Sequence, residues 1–474
     1  MEPPQSPQWK PKHAWAAIER TGPQKRAAEK RVTDFHEIYS LYDEATVREQ
    51  ASRCIQCPEA SCVTGCPLTN RIPEWIALAA EGKFLAAAEI SRSTSNMPEI
   101  CSRVCPQERL CEGACILNGR SEPICIGAIE KFINEYALAH GATQSPSAPP
   151  NGLRAAIIGS GPGGMACADE LAKLGYAVTV FESQSLPGGL LMNGIPAFKL
   201  EKSVVDRRIN LLRQRGVAFR LGTTVGKDVS LQELLSEFKA VFLGVGAQKP
   251  KLLDIPGAEA RGVFQSLPFL IQYNVSVPLE IEPIPVNGKR VVVLGGGDTA
   301  MDCLRTALRC GALEATCVYR RDLANMPGSR KEYANAVEEG ARFLFLTNPI
   351  ALESDASGCV ASVRCVKMEL GEPDAGGRRK PRPVKGSDFS IAADVILVAY
   401  GFDPVPFPAG SDLSKVAVNE WGAIEVDGNQ MTSVPGVFAG GDASRGPSLV
   451  VHAVRDGRKA AQGIQRFLSA SKAA

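Results

Sequence analysis

Long apolar runs are missing from this sequence: none approaches the roughly 18 residues that a membrane-spanning helix needs. An apolar signal core is missing as well, since Met1 to Lys10 is polar and proline-rich. A cytoplasmic location is therefore expected. Neither sign of charge is in excess: 53 Lys and Arg oppose 51 Asp and Glu, for a net +2. That leaves no electrostatic footprint for nucleic acid or a membrane. Histidine is scarce. The four present (His13, His36, His140 and His452) have no metal-ligand spacing with one another, which excludes a histidine-based metal centre. No nucleophile elbow or catalytic triad signature occurs, so nothing points to a hydrolase. No repeat array or low-complexity tract is visible beyond two nucleotide units that echo each other.

What the sequence does hold is length, glycine and cysteine. At 474 residues it is long for one core, so roughly two to four domains are expected. In a cytoplasm cysteines stay reduced, and a dense set reads as metal-binding or catalytic rather than as disulfides. Eight cysteines fall as Cys54-x2-Cys57-x4-Cys62-x3-Cys66 and Cys101-x3-Cys105-x5-Cys111-x3-Cys115. Thiolates so spaced can close around a compact metal–sulfur centre. Iron–sulfur and zinc both accept four thiolates. Between the two groups, apolar residues at helical spacing (Ile76, Ala79, Ala80, Phe84, Ala87, Ala88) predict helices that carry the cysteine loops. Cys167, Cys303, Cys310, Cys317, Cys359 and Cys365 are scattered downstream and read as small buried hydrophobes.

Two glycine loops follow. Gly159-Ser160-Gly161-Pro162-Gly163-Gly164 comes after the apolar run Ala155–Ile158 and opens a helix to about Leu174. In such a loop the first glycine makes the tight turn, the second admits a pyrophosphate, and the third lets helix and strand pack closely. The phosphate meets the positive end of the helix. Glu182 closes the next strand, Ala177 to Phe181, where a carboxylate can accept ribose hydroxyls. Pro187-Gly188-Gly189-Leu190 offers another close backbone approach, and Gly440-Gly441-Asp442 near the C-terminus could hydrogen-bond a ribityl chain. Together these signals suggest FAD. The second loop, Gly295-Gly296-Gly297-Asp298-Thr299-Ala300, repeats the strand–loop–helix context with alanine at the third glycine position. Its following strand ends in Tyr319-Arg320-Arg321 rather than an acid, and the arginine fork suits a 2′-phosphate, which predicts NADPH over NADH. Such nucleotide sites need a one-electron outlet, which favours iron–sulfur over zinc for the cysteines. The different-class alternative is a structural zinc and nucleotide scaffold without redox turnover. Residues 1 to about 45 mix both charge signs and read as an arm or partner surface, and Gly141 to Gly152 is a linker by composition.

From about Phe35 to the C-terminus the chain resembles the family of small (β) chains of bacterial NADPH-dependent glutamate synthases. The stretches that carry the likeness are ASRCIQC, NRIPEWIALAAEGKF, RVCPQERLCEGAC, IGAIEKFINEYA, GIPAFKLEK, AVFLGVG, KRVVVLGGGDTAMDC, YRRDLANMPGSRKE and VFAGGDASRG. The resemblance implies an α/β fold. A helical iron–sulfur domain (1–140) and a linker (141–152) would precede an adrenodoxin-reductase-like pair of Rossmann-like dinucleotide-binding domains. In that pair an NADPH domain (285–405) is inserted in an FAD domain (153–284 and 406–474). It also implies two interleaved [4Fe–4S] clusters, one held by Cys54, Cys57, Cys62 and Cys115, the other by Cys66, Cys105, Cys111 and Glu130, with Cys101 left out. The implied activity is electron entry: NADPH reduces FAD, and the clusters pass electrons to a large (α) chain that makes L-glutamate from L-glutamine and 2-oxoglutarate. Similar chains serve other acceptors, such as ferredoxin or a dihydropyrimidine dehydrogenase, and that remains the alternative reading. No catalytic acid or base is expected, because the cofactors carry the chemistry.

Overall fold

Ile72–Ala80 and Phe84–Thr94 form two helices because their apolar residues recur on one side, and Gly82 (φ +78°) makes the turn between them. The structure, a computed structural model, describes residues 13–141, 147–275, 283–373, 379–405, 407 and 410–473. The two helices bury Trp75, Ile76, Ala79, Phe84, Ala87 and Ala88 against Ile129, Phe132 and Ile133 of the helix Ile126–Ala139. Phe84 meets Phe132 edge-on at 5.0 Å. This helical unit carries both groups of cysteines: Cys62 and Cys101 lie in the short helices Ser61–Gly65 and Pro98–Val104, and the other six in the segments that connect the helices.

Two parallel sheets follow. The first has the order Val437–Ala439, Ala240–Leu243, Arg154–Ile158, Ala177–Phe181, Ala218–Arg220. The second has the order Val263–Gln265, Val395–Val398, Arg290–Leu294, Glu314–Val318, Arg342–Leu344. Their central strands are buried on both faces, which explains why they read as continuous apolar runs. Val437–Ala439 returns to the first sheet after the whole second sheet is complete, so the second unit is inserted in the first. The helix Val450–Ala473 packs on Pro162–Lys173 and closes the first unit.

Three features differ from the sequence expectation. The second sheet takes its edge strand from Val263–Gln265, well before residue 285; three residues with no apolar run give no strand signal. A four-stranded antiparallel sheet (Thr347–Ser354, Val360–Pro373, Arg379–Pro383, Phe389–Ala392) packs on the second unit through buried Val363 and Cys365. Residues 24–40 are not a free arm. They form a hairpin-like loop, tied by Arg26 N–H to Ile38 C=O (2.9 Å) and Ser40 N–H to Gln24 C=O (2.9 Å), with Arg31 only 1% exposed. Of the linker, residues 142–146 lie outside the described residues, while Ala148 N–H and Asn151 N–H donate to Lys173 and Gly175 carbonyls at 2.8 and 2.9 Å. Among the described residues no helix is long and apolar enough to cross a membrane.

Candidate functional site

The first loop divides its glycines between packing and opening. Gly159 has φ +93°, and a Cβ there would lie 2.4 Å from Gly244 O. A Cβ on Gly164 would lie 1.9 Å from Gly159 O, and one on Gly163 would lie 3.3 Å from Ala453 O. Gly161 is different: nothing lies within 4 Å of its Cβ position. Bare backbone therefore faces open space at the N-terminus of Pro162–Lys173, as a bound pyrophosphate requires. Glu182, 7% exposed, stands beside it and already accepts four hydrogen bonds. Ser160 N–H (2.9 Å) and Oγ–H (2.5 Å) reach its Oε2, while Gln184 N–H (2.9 Å) and Ser183 Oγ–H (3.2 Å) reach Oε1. A carboxylate has about four acceptor positions, so a ribose hydroxyl would displace one of these donors, most easily the long Ser183 bond. Ser160 Oγ also accepts from Gly188 N–H at 2.8 Å and so joins the loop, the acid and the Pro187–Leu190 segment. Sequence reasoning missed Ser160, which is only a variable position of the loop pattern. Gly189 packs within 2.9 Å of Gly161 Cα by its Cβ position, and the Leu190 side chain remains exposed.

The C-terminal part of this site meets the loop through Ala453. Gly441 (φ +68°) would place a Cβ 3.4 Å from Ala453 Cβ, on the same residue that confines Gly163. Asp442 Oδ1 accepts from Ser448 N–H at 3.1 Å, and burial pushes its carboxyl up to about 6. Asp456, also missed in the sequence, fixes this corner. It accepts from Gly441 N–H (3.1 Å) and from Arg445 Nε and Nη2 (2.5 and 2.6 Å).

The second loop follows the same division. Gly295 has φ +141° with a Cβ position 2.3 Å from Ala399 O, and the Cβ of Gly296 would strike the Tyr319 ring at 2.6 Å. Gly297 is open, and Ala300 is fully buried at the third position. Asp298 Oδ1 accepts from Ser329 N–H at 2.9 Å, and Gly328 N–H donates to Gly296 O at 3.0 Å, so residues 328–329 close on the loop. Thr299 is half-buried in the first turn of the helix Asp298–Arg309. Arg320 is exposed. Arg321 is half-buried, and its Nε has no hydrogen-bond partner; Arg330 Nη1 is likewise unmatched. Orphaned guanidinium donors beside a nucleotide loop suit a phosphate acceptor. Asp322 Oδ1 accepts locally from Asn325 N–H and Nδ2 at 2.9 and 2.6 Å, and the carboxylate keeps its charge beside the arginines.

The cysteines line two cavities. Cys54, Cys57, Cys62 and Cys115 surround one. Cys66, Cys101, Cys105, Cys111 and Glu130 line the other, and Ile72 and Ile126 form walls of both. Cys101, set aside in the implied ligation, therefore stands in the second cavity with the expected ligands. Glu130 is not a free surface carboxylate: Asn70 Nδ2 and Ser91 Oγ donate to its Oε1 at 3.0 and 3.1 Å, and burial pushes it up to about 7. Both hydrogen bonds fall on one oxygen, which leaves Oε2 for a metal. Ser95 Oγ, also in the wall, has no partner. Burial pushes the thiols of Cys54 and Cys66 up to about 11 and that of Cys62 up to about 12. Such thiols become thiolates only beside added positive charge, which iron supplies. Among the described residues no three such donors converge on an ion-sized point. Four thiolates, or three with a carboxylate, around one cavity are donor sets that iron–sulfur clusters accept. Of the scattered cysteines, Cys167, Cys303, Cys317 and Cys365 are buried as expected, but Cys310 and Cys359 are half-buried.

Comparison with known proteins agrees with this division. Residues 31–142 match the family described as dihydropyrimidine dehydrogenase domain II, 4Fe-4S cluster. Residues 153–457 match the pyridine nucleotide-disulphide oxidoreductase family. The glutamate synthase (NADPH) small chain of Escherichia coli strain K12 is 45% identical over 95% of this chain and 98% of its own. That of Azospirillum brasilense is 44% identical over 94% of each. The chain belongs to the glutamate synthase (NADPH) small-chain family. The oxidoreductase AegA of Escherichia coli strain K12 is also similar, at 48% identity over 95% of this chain and 70% of that one. Among solved structures, Mycobacterium tuberculosis FprA in complex with NADPH matches 69% of this chain and 86% of that one, with a TM-score of 0.59. At 22% identity that likeness concerns the fold. As a member of the small-chain family, the chain is an NADPH-dependent oxidoreductase with an iron–sulfur domain preceding its nucleotide units.

Proposed function

We propose that this chain is the electron-entry subunit of a glutamate synthase. In this reading FAD lies along the first loop, NADPH along the second, and two [4Fe–4S] clusters fill the two cysteine cavities. When bound, these groups would supply hydride transfer from NADPH to the flavin and one-electron transfer through the clusters. The protein's own task is to hold and insulate. Gly161 and the helix after it receive the flavin pyrophosphate, Glu182 the adenosine ribose, and Asp442 the ribityl chain. Gly297, Asp298 and Thr299 form the matching cradle for NADPH, and Arg320 and Arg321 face its 2′-phosphate. Cys54, Cys57, Cys62 and Cys115 hold one cluster; Cys66, Cys105, Cys111 and Glu130 hold the other. A cytoplasmic setting, which keeps thiols reduced, supports cluster assembly.

The observation that carries the reading is a shared wall. Val451, in the first turn of the closing helix beside Gly441-Asp442, lines the cavity of Cys66, Cys105, Cys111 and Glu130. Two residues on, Ala453 meets Gly163 and Gly441, so one helix turn borders both the cysteine cavity and the first glycine loop. The partner in this reading is a large (α) chain that forms L-glutamate from L-glutamine and 2-oxoglutarate. The test combines the two chains with NADPH and both substrates. Glutamate should form with both chains present and not with either alone; no glutamate from the pair would refute the assignment. One observation favours a second reading, the same NADPH–FAD–cluster relay with another acceptor: the oxidoreductases AegA and UacF are 48% and 44% identical to this chain, as near as the glutamate synthase small chains. In that case the same assay fails while ferredoxin or another acceptor is reduced.

A further inference from the structure

We infer that Arg31 is a positioning residue for hydride transfer: through it, the loop 24–40 fixes the second nucleotide unit against the first. The inference rests on the reading above, in which FAD and NADPH occupy the two glycine loops. Arg31 is 1% exposed. Its Nε donates to Glu339 (2.8 Å), and its Nη2 donates to Glu338 (2.8 Å) and to the Asn335 carbonyl (3.3 Å), all on the second unit. Glu339 is shared with Arg305 (2.9 Å) and Arg309 (2.6 Å), which lie on the helix Asp298–Arg309. That helix presents Gly297 and Asp298 to the nucleotide at its other end. Arg309 Nε also donates to the Asp34 carbonyl at 3.0 Å.

The same loop grips the other two units. Glu37 pairs with Arg103 (2.5 Å) and Lys131 (2.7 Å) of the helical unit and accepts from Glu201 N–H (3.4 Å) of the first nucleotide unit. Phe35 lies 6.1 Å from Phe198, whose ring meets the guanidinium groups of Arg305 and Arg309 at 4.2 and 4.0 Å. Lys199, the next residue, pairs with Asp302 of the same helix at 2.8 Å. The helix Asp298–Arg309 is therefore held by Phe198 and Lys199 from the flavin-binding unit and by Arg31 through Glu339. Hydride transfer demands near-contact of donor and acceptor, and a misplacement of about 1 Å can cost on the order of a hundredfold in rate.

The test is anaerobic single-turnover reduction of the FAD- and iron-loaded chain by NADPH, with Arg31→Met and Arg31→Lys beside the wild type. Glu339 keeps Arg305 and Arg309 and Glu338 keeps Lys25 (2.6 Å) in the methionine variant, so no carboxylate is left bare. The expected result is flavin reduction slowed about ten- to a hundredfold, with a larger isotope effect from deuterated NADPH. Flavin content and the dissociation constant for NADP+ should stay unchanged, and Arg31→Lys should recover part of the rate. An Arg31→Met protein that is less thermostable but reduces its flavin at the wild-type rate overturns the inference. If Arg31→Met fails to load flavin, Glu338→Gln at the solvent rim replaces it: slowing of about two- to fivefold supports the inference, and an unchanged rate overturns it. A wild-type flavin that NADPH leaves oxidised overturns both this inference and the reading beneath it.

Discussion

Cys101 and Cys57 show how one residue type serves two ends within one pair of cavities. Cys57 lines the cavity of Cys54, Cys62 and Cys115, which offers no fifth donor. Cys101 lines the second cavity, where Cys66, Cys105, Cys111 and Glu130 already number four. Burial opposes ionisation of Cys57, and Cys105 is held protonated chiefly by its hydrogen bond with Cys101, with burial adding to it. A bound cluster would reverse this for its ligands. Cys57→Ser should therefore remove about half the iron and acid-labile sulfide, and Cys101→Ser should remove none. Iron analysis of the anaerobically purified variants decides it. A Cys101→Ser protein that loses half its iron would exchange the roles of Cys101 and Glu130. The eight-cysteine pattern was plain in the sequence, but its division was not. Spacing alone groups Cys101 with Cys105, Cys111 and Cys115, whereas the fold carries Cys115 across to Cys54.

At the level of elements, each nucleotide loop is a strand, a turn and a helix with one glycine left open. Gly161 and Gly164 separate the two duties. Gly161→Ala should fold with the thermal stability of the apo wild type yet bind FAD poorly, since its Cβ enters open space that the pyrophosphate needs. Gly164→Ala drives a Cβ to 1.9 Å from Gly159 O and should destabilise the first unit by about 1–3 kcal/mol or more. Flavin content and thermal unfolding of the two apo variants are the measurements. Equal effects on both would mean that the opening at Gly161 is structural. These elements were legible because glycine spacing and buried apolar strands coincide: Ala177–Phe181 and Arg290–Leu294 begin and end where the residues indicate. Gly457 was not legible. A glycine inside a helix reads only as a weak position, and its reason is Gly163 O, 2.1 Å from its Cβ position where the closing helix crosses the loop helix.

Over the whole molecule, the helical unit and both nucleotide units meet around the loop 24–40. The insertion of one nucleotide unit in the other was legible, because flavin signals lie on both sides of the second loop. The junction was not, because its charges are far apart in sequence: Arg31 and Glu339 are separated by 308 positions, and each alone resembles a solvated side chain. The same arithmetic hid a cavity of ≈ 350 Å³ at this junction, lined by residues from Arg20 to Glu332. Its carboxylates already have partners: Glu37 with Lys131, Glu112 with Arg20, Glu332 with Arg305, and Glu108 with the Ser329 hydroxyl. The junction thus holds the units together with these carboxylates partnered internally, while Lys331 Nζ lies over the Tyr39 ring at 4.2 Å. The central claim is that electrons enter from NADPH and pass through this one chain. The most direct measurement is an anaerobic titration of the isolated, FAD- and iron-loaded chain with NADPH, following flavin absorbance and the paramagnetic signal of reduced clusters. The account predicts flavin bleaching without any partner chain, with NADPH far more effective than NADH. A flavin that stays oxidised under excess NADPH would contradict it.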